Sequence, residues 1–126
     1  MSKEQQYLDE NAKKPGVNTT ASGLQYRVIR DADGNKPQAG AEVQVHYKGK
    51  LIDGKQFDSS YDRGEPTSFF LNQVISGWSE GLQLMPVGAQ YEFVIPSDLG
   101  YGQQGYPGVI PKNATLIFEV ELLKIY

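Results

Sequence analysis

Cysteine is absent from the 126 residues. That excludes disulfide staples, thiol nucleophiles and thiolate-held metals together, and it leaves the redox compartment open. Histidine occurs once, at His46, so histidine-rich metal sites and histidine pairs are excluded as well. No stretch approaches the ~18–20 apolar residues of a membrane-spanning helix, and no signal-peptide core follows Met1. Runs of basic residues are also missing. Lys and Arg number 12 against 15 Asp and Glu, a net charge of -3, so nucleic acid and anionic membrane are poor expectations for partners. The chain as written is expected to be cytoplasmic, or periplasmic if it is a trimmed mature chain.

What remains is a soluble, turn-rich chain. Hydrophobic residues make up 39% and charged residues 21%, with 14 Gly and 7 Pro, which suits one globular domain rich in β-structure. Residues 2–14 read as a short polar helix, with Ser2 and Gln5 as a capping box and Pro15-Gly16 as a stop. Such a helix is marginal alone and needs something to dock on. Residues 17–23 read as a linker. From Leu24 the period changes to two. Strands are expected at 24–30, 42–52, 55–60, 67–71, 90–96 and 114–126, with Asp53-Gly54 as a hairpin turn and 61–66 as a loop. Val43, Val45 and Tyr47 share one face, as do Leu116, Phe118, Val120 and Leu122.

The only internal helix with clear periodicity covers 74–85. Val74, Trp78, Leu82 and Met85 recur on one side, while Gly77 and Gly81 each weaken it by roughly 1 kcal/mol. Its apolar face must therefore be held by packing. The expected architecture is α+β: a curved antiparallel sheet of five or six strands wrapped around one short helix, plus the short N-terminal helix. Residues 1–19 are expected to be a helical stub and linker, and 20–126 the domain.

Several short motifs do not carry chemistry. Gly100, Gly102 and Gly105 match G-x-G-x-x-G, but Pro107, Gly108 and Pro111 stand where a phosphate-facing helix must begin. Asp31, Asp33, Asn35 and Glu42 match four positions of a calcium loop, yet Lys36 and Pro37 occupy the turn where glycine is required. His46 falls on the polar face of its strand with Gln44 and Lys48, and Ser59, His46 and Asp58 lack the turn a nucleophile needs. Asn18-x-Thr20 and Asn113-x-Thr115 fit a glycosylation acceptor, a pattern common by chance.

The remaining constellation is aromatic. Tyr47, Phe57, Phe118 and Trp78 fall on inward faces, and Tyr101 and Tyr106 lie in the 14-residue loop 100–113. Ordinary cores favour Leu, Ile and Val, because buried Tyr and Trp require polar partners. Composition alone leaves an aromatic core and a ligand pocket both open. Asp58 adjoins Phe57 and needs donors, for which the Tyr47 hydroxyl and Arg63 are the candidates.

VHYKGKLIDGKQFDSS (45–60), VISGWSEGLQLMPVG (74–88) and LGYGQQGYPGVIPKNATLIFEVELL (99–123) together strongly resemble the FKBP family of peptidyl-prolyl cis–trans isomerases, over about residues 20–126. LDENAKKPGV followed by SGLQYRVI resembles its bacterial Mip-type branch, in which a longer helical dimerisation region precedes the catalytic domain. The resemblance implies a sheet wrapped on one helix. It also implies a pocket of Tyr47, Phe57, Asp58, Arg63, Phe69, Val74, Ile75, Trp78, Tyr101, Tyr106, Ile110 and Phe118. Within it, Asp58, Tyr101, Phe118 and Tyr47 would be catalytic. Trp78 would be the floor, Phe57 and Phe118 walls, and Tyr101 and the Ile110 backbone N–H donors to a bound carbonyl. No cofactor and no metal are implied.

Expected partners are proline-containing peptides, unfolded or slow-folding proteins, and the macrolides tacrolimus and rapamycin. A binding module or holdase using the same pocket is the alternative to an enzyme. A monomer is expected, with a dimer only through a missing N-terminal region. Two positions depart from the family. Thr67 stands where human-type members often carry an aromatic, and Tyr106 where a His is common, so the rim is expected either to favour different substrates or to bind macrolides less tightly.

Overall fold

The computed structural model describes residues 2–126. Met1, the first residue of the expected helical stub, lies outside the described residues. Helix α1 runs Lys3–Ala12, and the Ser2 side chain accepts a hydrogen bond from the Gln5 N–H, so the Ser2 half of the expected capping box forms, while the Gln5 side chain donates to Asp9 instead. The helix docks through polar contacts. The buried Asn11 side chain donates to Gln25 at 2.7 Å, and Gln25 donates back to the Leu8 carbonyl at 2.9 Å. Glu4 accepts from the Thr115 N–H at the far end of the chain.

Seven antiparallel strands follow: β1 (Val17–Thr19), β2 (Gln25–Arg30), β3 (Glu42–Leu51), β4 (Gln56–Ser59), β5 (Thr67–Phe70), β6 (Gln90–Ile95) and β7 (Leu116–Ile125). Their order is β1-β2-β6-β7-β3-β4, and β5 pairs with β3 beside β4. Residues 17–19, expected as linker, instead extend the sheet by pairing Val17 with Arg27 and Thr19 with Gln25. The sheet thus has one strand more than the five or six expected. β3 and β7 form the longest pairing, with Tyr47 opposite Val120 and Gly49 opposite Phe118.

Helix α2 (Ser60–Arg63) takes the last residue of the expected strand 55–60 and the first half of the expected loop 61–66. The Ser59 side chain caps it by accepting from the Asp62 N–H, and Gly64 ends it at φ 78 in the left-handed region. Helix α3 spans only Ser76–Leu82, shorter than the expected 74–85. Val74 and Ile75 precede it, Ile75 being extended at ψ 152. Met85, which precedes Pro86, is disfavoured in helical conformation and falls beyond its end.

The core lies between α3 and the concave face of the sheet. Val43, Val45, Leu82, Met85, Phe93, Val120 and Leu122 are fully buried there. The helix approaches the sheet so closely that its two glycines are required. A Cβ at Gly81 would lie 2.6 Å from the Phe93 ring, and one at Gly77 would lie 2.6 Å from Ile95. The helix propensity lost at these positions is the condition for contact between helix backbone and strand β6.

Candidate active site

Alternation along β3 turns Tyr47 inward and His46 outward. His46 stacks on Tyr61 with centroids 4.7 Å apart, its Nδ1 lies 2.9 Å from the Ser60 Oγ, and Ser59 serves as a helix cap. These four side chains are thus engaged in fold contacts. On the inner face, the aromatic residues meet at one end of the α3–sheet interface. Trp78 makes edge-to-face contacts with Tyr47 at 5.0 Å, Phe69 at 5.2 Å and Phe118 at 5.3 Å. Phe57 meets Phe118 edge to face at 5.5 Å. Gly49 makes this last contact possible, because a Cβ there would lie 2.6 Å from Phe118 and 2.7 Å from Phe57.

These rings do not close on one another. They surround a cavity of about 420 Å³ lined by Tyr47, Phe57, Asp58, Phe69, Gln73, Val74, Ile75, Trp78, Tyr101 and Phe118. Trp78, 4% exposed, forms part of the lining with its indole Nε1 buried and without a hydrogen-bond partner among the described residues. An unpaired buried donor is costly, and a ligand acceptor is one way to satisfy it.

The polar rim centres on Asp58. Its Oδ2 accepts from the Tyr47 hydroxyl at 2.5 Å, and its Oδ1 accepts from Arg63 Nη1 at 2.6 Å and from the Ser59 N–H at 2.9 Å. Arg63 Nη2 also donates to the Tyr47 hydroxyl oxygen at 3.2 Å. Burial pushes the Asp58 carboxyl up, but the Tyr47 hydroxyl and the Arg63 guanidinium outweigh it and hold the group below the ordinary carboxylate value. Burial, with Asp58 as hydrogen-bond partner, raises Tyr47 above the usual phenol range. Burial, followed by Tyr106 and Asp58, does the same for Tyr101. At neutral pH the site therefore holds one carboxylate and neutral phenols.

Nine of the twelve residues expected around the pocket line the cavity. Arg63, Tyr106 and Ile110 do not. Arg63 stands behind Asp58 as its partner. Tyr106 is 54% exposed and meets Tyr101 edge to face at 5.9 Å. Ile110 is buried, and its N–H donates to the Tyr106 carbonyl at 2.8 Å. The expected free donor at Ile110 is thus engaged within its own loop. Thr67, expected in the pocket wall, also lies off the lining and accepts from Arg63 Nη2 at 3.0 Å. Gln73 lines the cavity and was not anticipated. It sits just before Val74 in a segment expected to begin a helix, and nothing in its residue type marked it. Among the described residues no group of His, Asp and Glu is arranged to hold a metal.

Known families and structures agree with this geometry. Residues 33–123 match the FKBP-type peptidyl-prolyl cis-trans isomerase family, and residues 1–28 match the domain found amino-terminal to it. The chain is 58% identical over 123 residues to the isomerase FkpA of Aeromonas hydrophila, covering 98% of this chain and 46% of that protein. It is 58% identical over 119 residues to the 22 kDa FKBP-type isomerase of Escherichia coli strain K12, covering 94% of this chain and 58% of that one. The crystal structure of FkpA from Escherichia coli superposes with a TM-score of 0.93 at 49% identity, over 98% of this chain and 57% of that one. This chain thus spans about half the length of these relatives. With a family match over most of its length and a shared fold at high identity, the chain belongs to the FKBP-type peptidyl-prolyl cis-trans isomerase family.

Proposed function

We propose that this chain accelerates cis–trans rotation about X–Pro peptide bonds and so assists the folding of proline-containing chains. The observation that carries the reading is the open aromatic cavity floored by Trp78 and rimmed by the Tyr47–Asp58–Arg63 network. Family membership supports it.

The chemistry is a rotation, not a bond cleavage. Amide resonance sets a barrier of roughly 18–20 kcal/mol, and uncatalysed X–Pro rotation takes tens to hundreds of seconds. A twisted imide has lost resonance and is less dipolar than the planar one. An apolar cavity therefore penalises the planar form more, which is selective stabilisation of the transition state. A gain of ~10⁴ in rate requires roughly 5.5 kcal/mol. A hydrogen bond from the Tyr101 hydroxyl to the substrate carbonyl supplies only ~1 kcal/mol net. Shape and water exclusion by Phe57, Trp78 and Phe118 must supply most of the rest. Asp58 contributes by fixing Tyr47 and by its field at the rim.

The cavity is also proposed to take macrolides such as tacrolimus and rapamycin, as the family resemblance implies. A protease-coupled assay on a short prolyl peptide tests the reading, with tacrolimus as competitor. Accelerated isomerisation by the wild-type chain supports it. Binding of the peptide without acceleration would leave a binding module instead.

A further inference from the structure

We infer that Thr67 is a positioning residue for the Asp58–Tyr47 pair and acts through Arg63. The inference rests on the isomerase reading above. Arg63 is the last residue of the four-residue helix α2, and its long side chain is substantially exposed. Such a side chain holds one orientation only if several donors are tied down. Nη1 goes to Asp58. Nη2 is shared between the Tyr47 hydroxyl oxygen at 3.2 Å and Thr67 Oγ1 at 3.0 Å. The guanidinium also lies over the Tyr47 ring, 5.7 Å from its centroid.

Three of these contacts return to Asp58 and Tyr47 themselves. Among the described residues, Thr67 is the one anchor outside that pair. It belongs to β5, where it pairs with Val45 of β3, two residues before Tyr47. The anchor and the residue it helps to place thus sit on adjacent, hydrogen-bonded strands. A β-branched side chain is stiff at χ1, so the hydroxyl is presented in a restricted direction. Thr67 ties the free edge of the guanidinium fork to the sheet and completes a ring of contacts through Arg63, Asp58 and Tyr47. Because Thr67 does not line the cavity, this effect requires no contact with substrate.

The test compares Thr67→Val, which keeps the shape and deletes the hydroxyl, with Thr67→Ser, which keeps the hydroxyl. Two quantities are read: kcat and KM on a prolyl peptide, and the titration midpoint of the Asp58 carboxyl by NMR. Thr67→Val is expected to lower kcat/KM about threefold, mainly through kcat, and to raise the Asp58 midpoint. Thr67→Ser is expected to recover most of both changes. A Thr67→Val protein that matches wild type in both overturns the inference. So does one that loses activity while the Asp58 midpoint stays fixed, since that marks a change of shape at the rim. An inactive wild-type chain would instead sink the isomerase reading, and the Asp58 midpoint alone would then decide the anchoring.

Discussion

Strands β3 and β7 each pass through two regions of the same concave surface, and the side chains they present change character on the way. Along β3 the inward residues run Val43, Val45, Tyr47, and along β7 they run Leu122, Val120, Phe118. The aliphatic end interlocks with Leu82, Met85 and Phe93 and is sealed. The aromatic end meets the same helix at Trp78 and stays open. Branched aliphatic side chains adapt to fill a shared volume. The rings held edge to face around Trp78 instead leave a cavity between them, whereas the single ring of Phe93 packs among aliphatic neighbours. A closed core and a persistent cavity are thus built on one sheet by changing residue type along two strands.

The sharpest way to break this comparison is to truncate one ring on each side. Phe93→Ala in the sealed region is expected to cost about 3–5 kcal/mol of stability by urea denaturation. Phe118→Ala, beside space that is already empty, is expected to cost less than half of that, yet to lower kcat/KM about a hundredfold through lost positioning. It should also lose more activity than Asp58→Asn. Equal losses of stability from the two truncations would erase the distinction between the regions. A larger activity loss from Asp58→Asn would make electrostatics the leading contribution.

Gly49 tests the boundary from the opposite direction. Gly49→Ala inserts a methyl group between Phe57 and Phe118, where there is no room for it. Overpacking of this kind costs about 1–3 kcal/mol. Because two cavity walls must move, kcat/KM should fall along with the melting temperature. A stable and fully active Gly49→Ala protein would mean that the walls yield without consequence.

Most of this division was legible in the sequence, because alternation along β3 and β7 assigns the inward residues whichever strands they pair with. The parts that were not legible have physical reasons. β1 is three residues long, too short for a period to show, and it exists by pairing with β2. α2 is a single turn. Its signal was present in Ser59, Asp62 and Gly64, a cap and a stop around too few residues to show periodicity. Val74 and Ile75 continue the helical spacing of α3 but lie outside it, where tertiary contacts with the cavity override the pattern. The Ile110 N–H illustrates a different limit: only coordinates reveal that a backbone donor has been used by its own loop.

A smaller effect is expected away from both regions. Asn11→Ala removes the side chain that joins α1 to Gln25 and leaves the Gln25 oxygen without its partner. A loss of about 1–2 kcal/mol should follow. kcat/KM on a prolyl peptide should remain at the wild-type value, since α1 contributes nothing to the cavity lining. A change in activity would extend the site to the N-terminal helix.

The least of the effects separates the rim from the rings by pH. The Asp58 carboxyl lies below its ordinary value in the folded chain, through Tyr47 and Arg63 acting against burial. The folded protein therefore binds this proton less readily than the unfolded chain. The resulting stabilisation is complete above the unfolded carboxylate value of about 3.9 and is lost as pH falls through the lower folded value. With a side chain 39% exposed, Asp58 is screened by solvent, and its ion pair with the exposed Arg63 contributes little to stability. The stability difference between wild type and Asp58→Asn should thus shrink only slightly on acidification, and only below about pH 4. Activity should be flat from about pH 5 to 9, because Asp58 stays ionised there while Tyr47 and Tyr101, both raised, stay neutral. A slope in kcat/KM within that window would show that a group outside this rim takes part in the rotation.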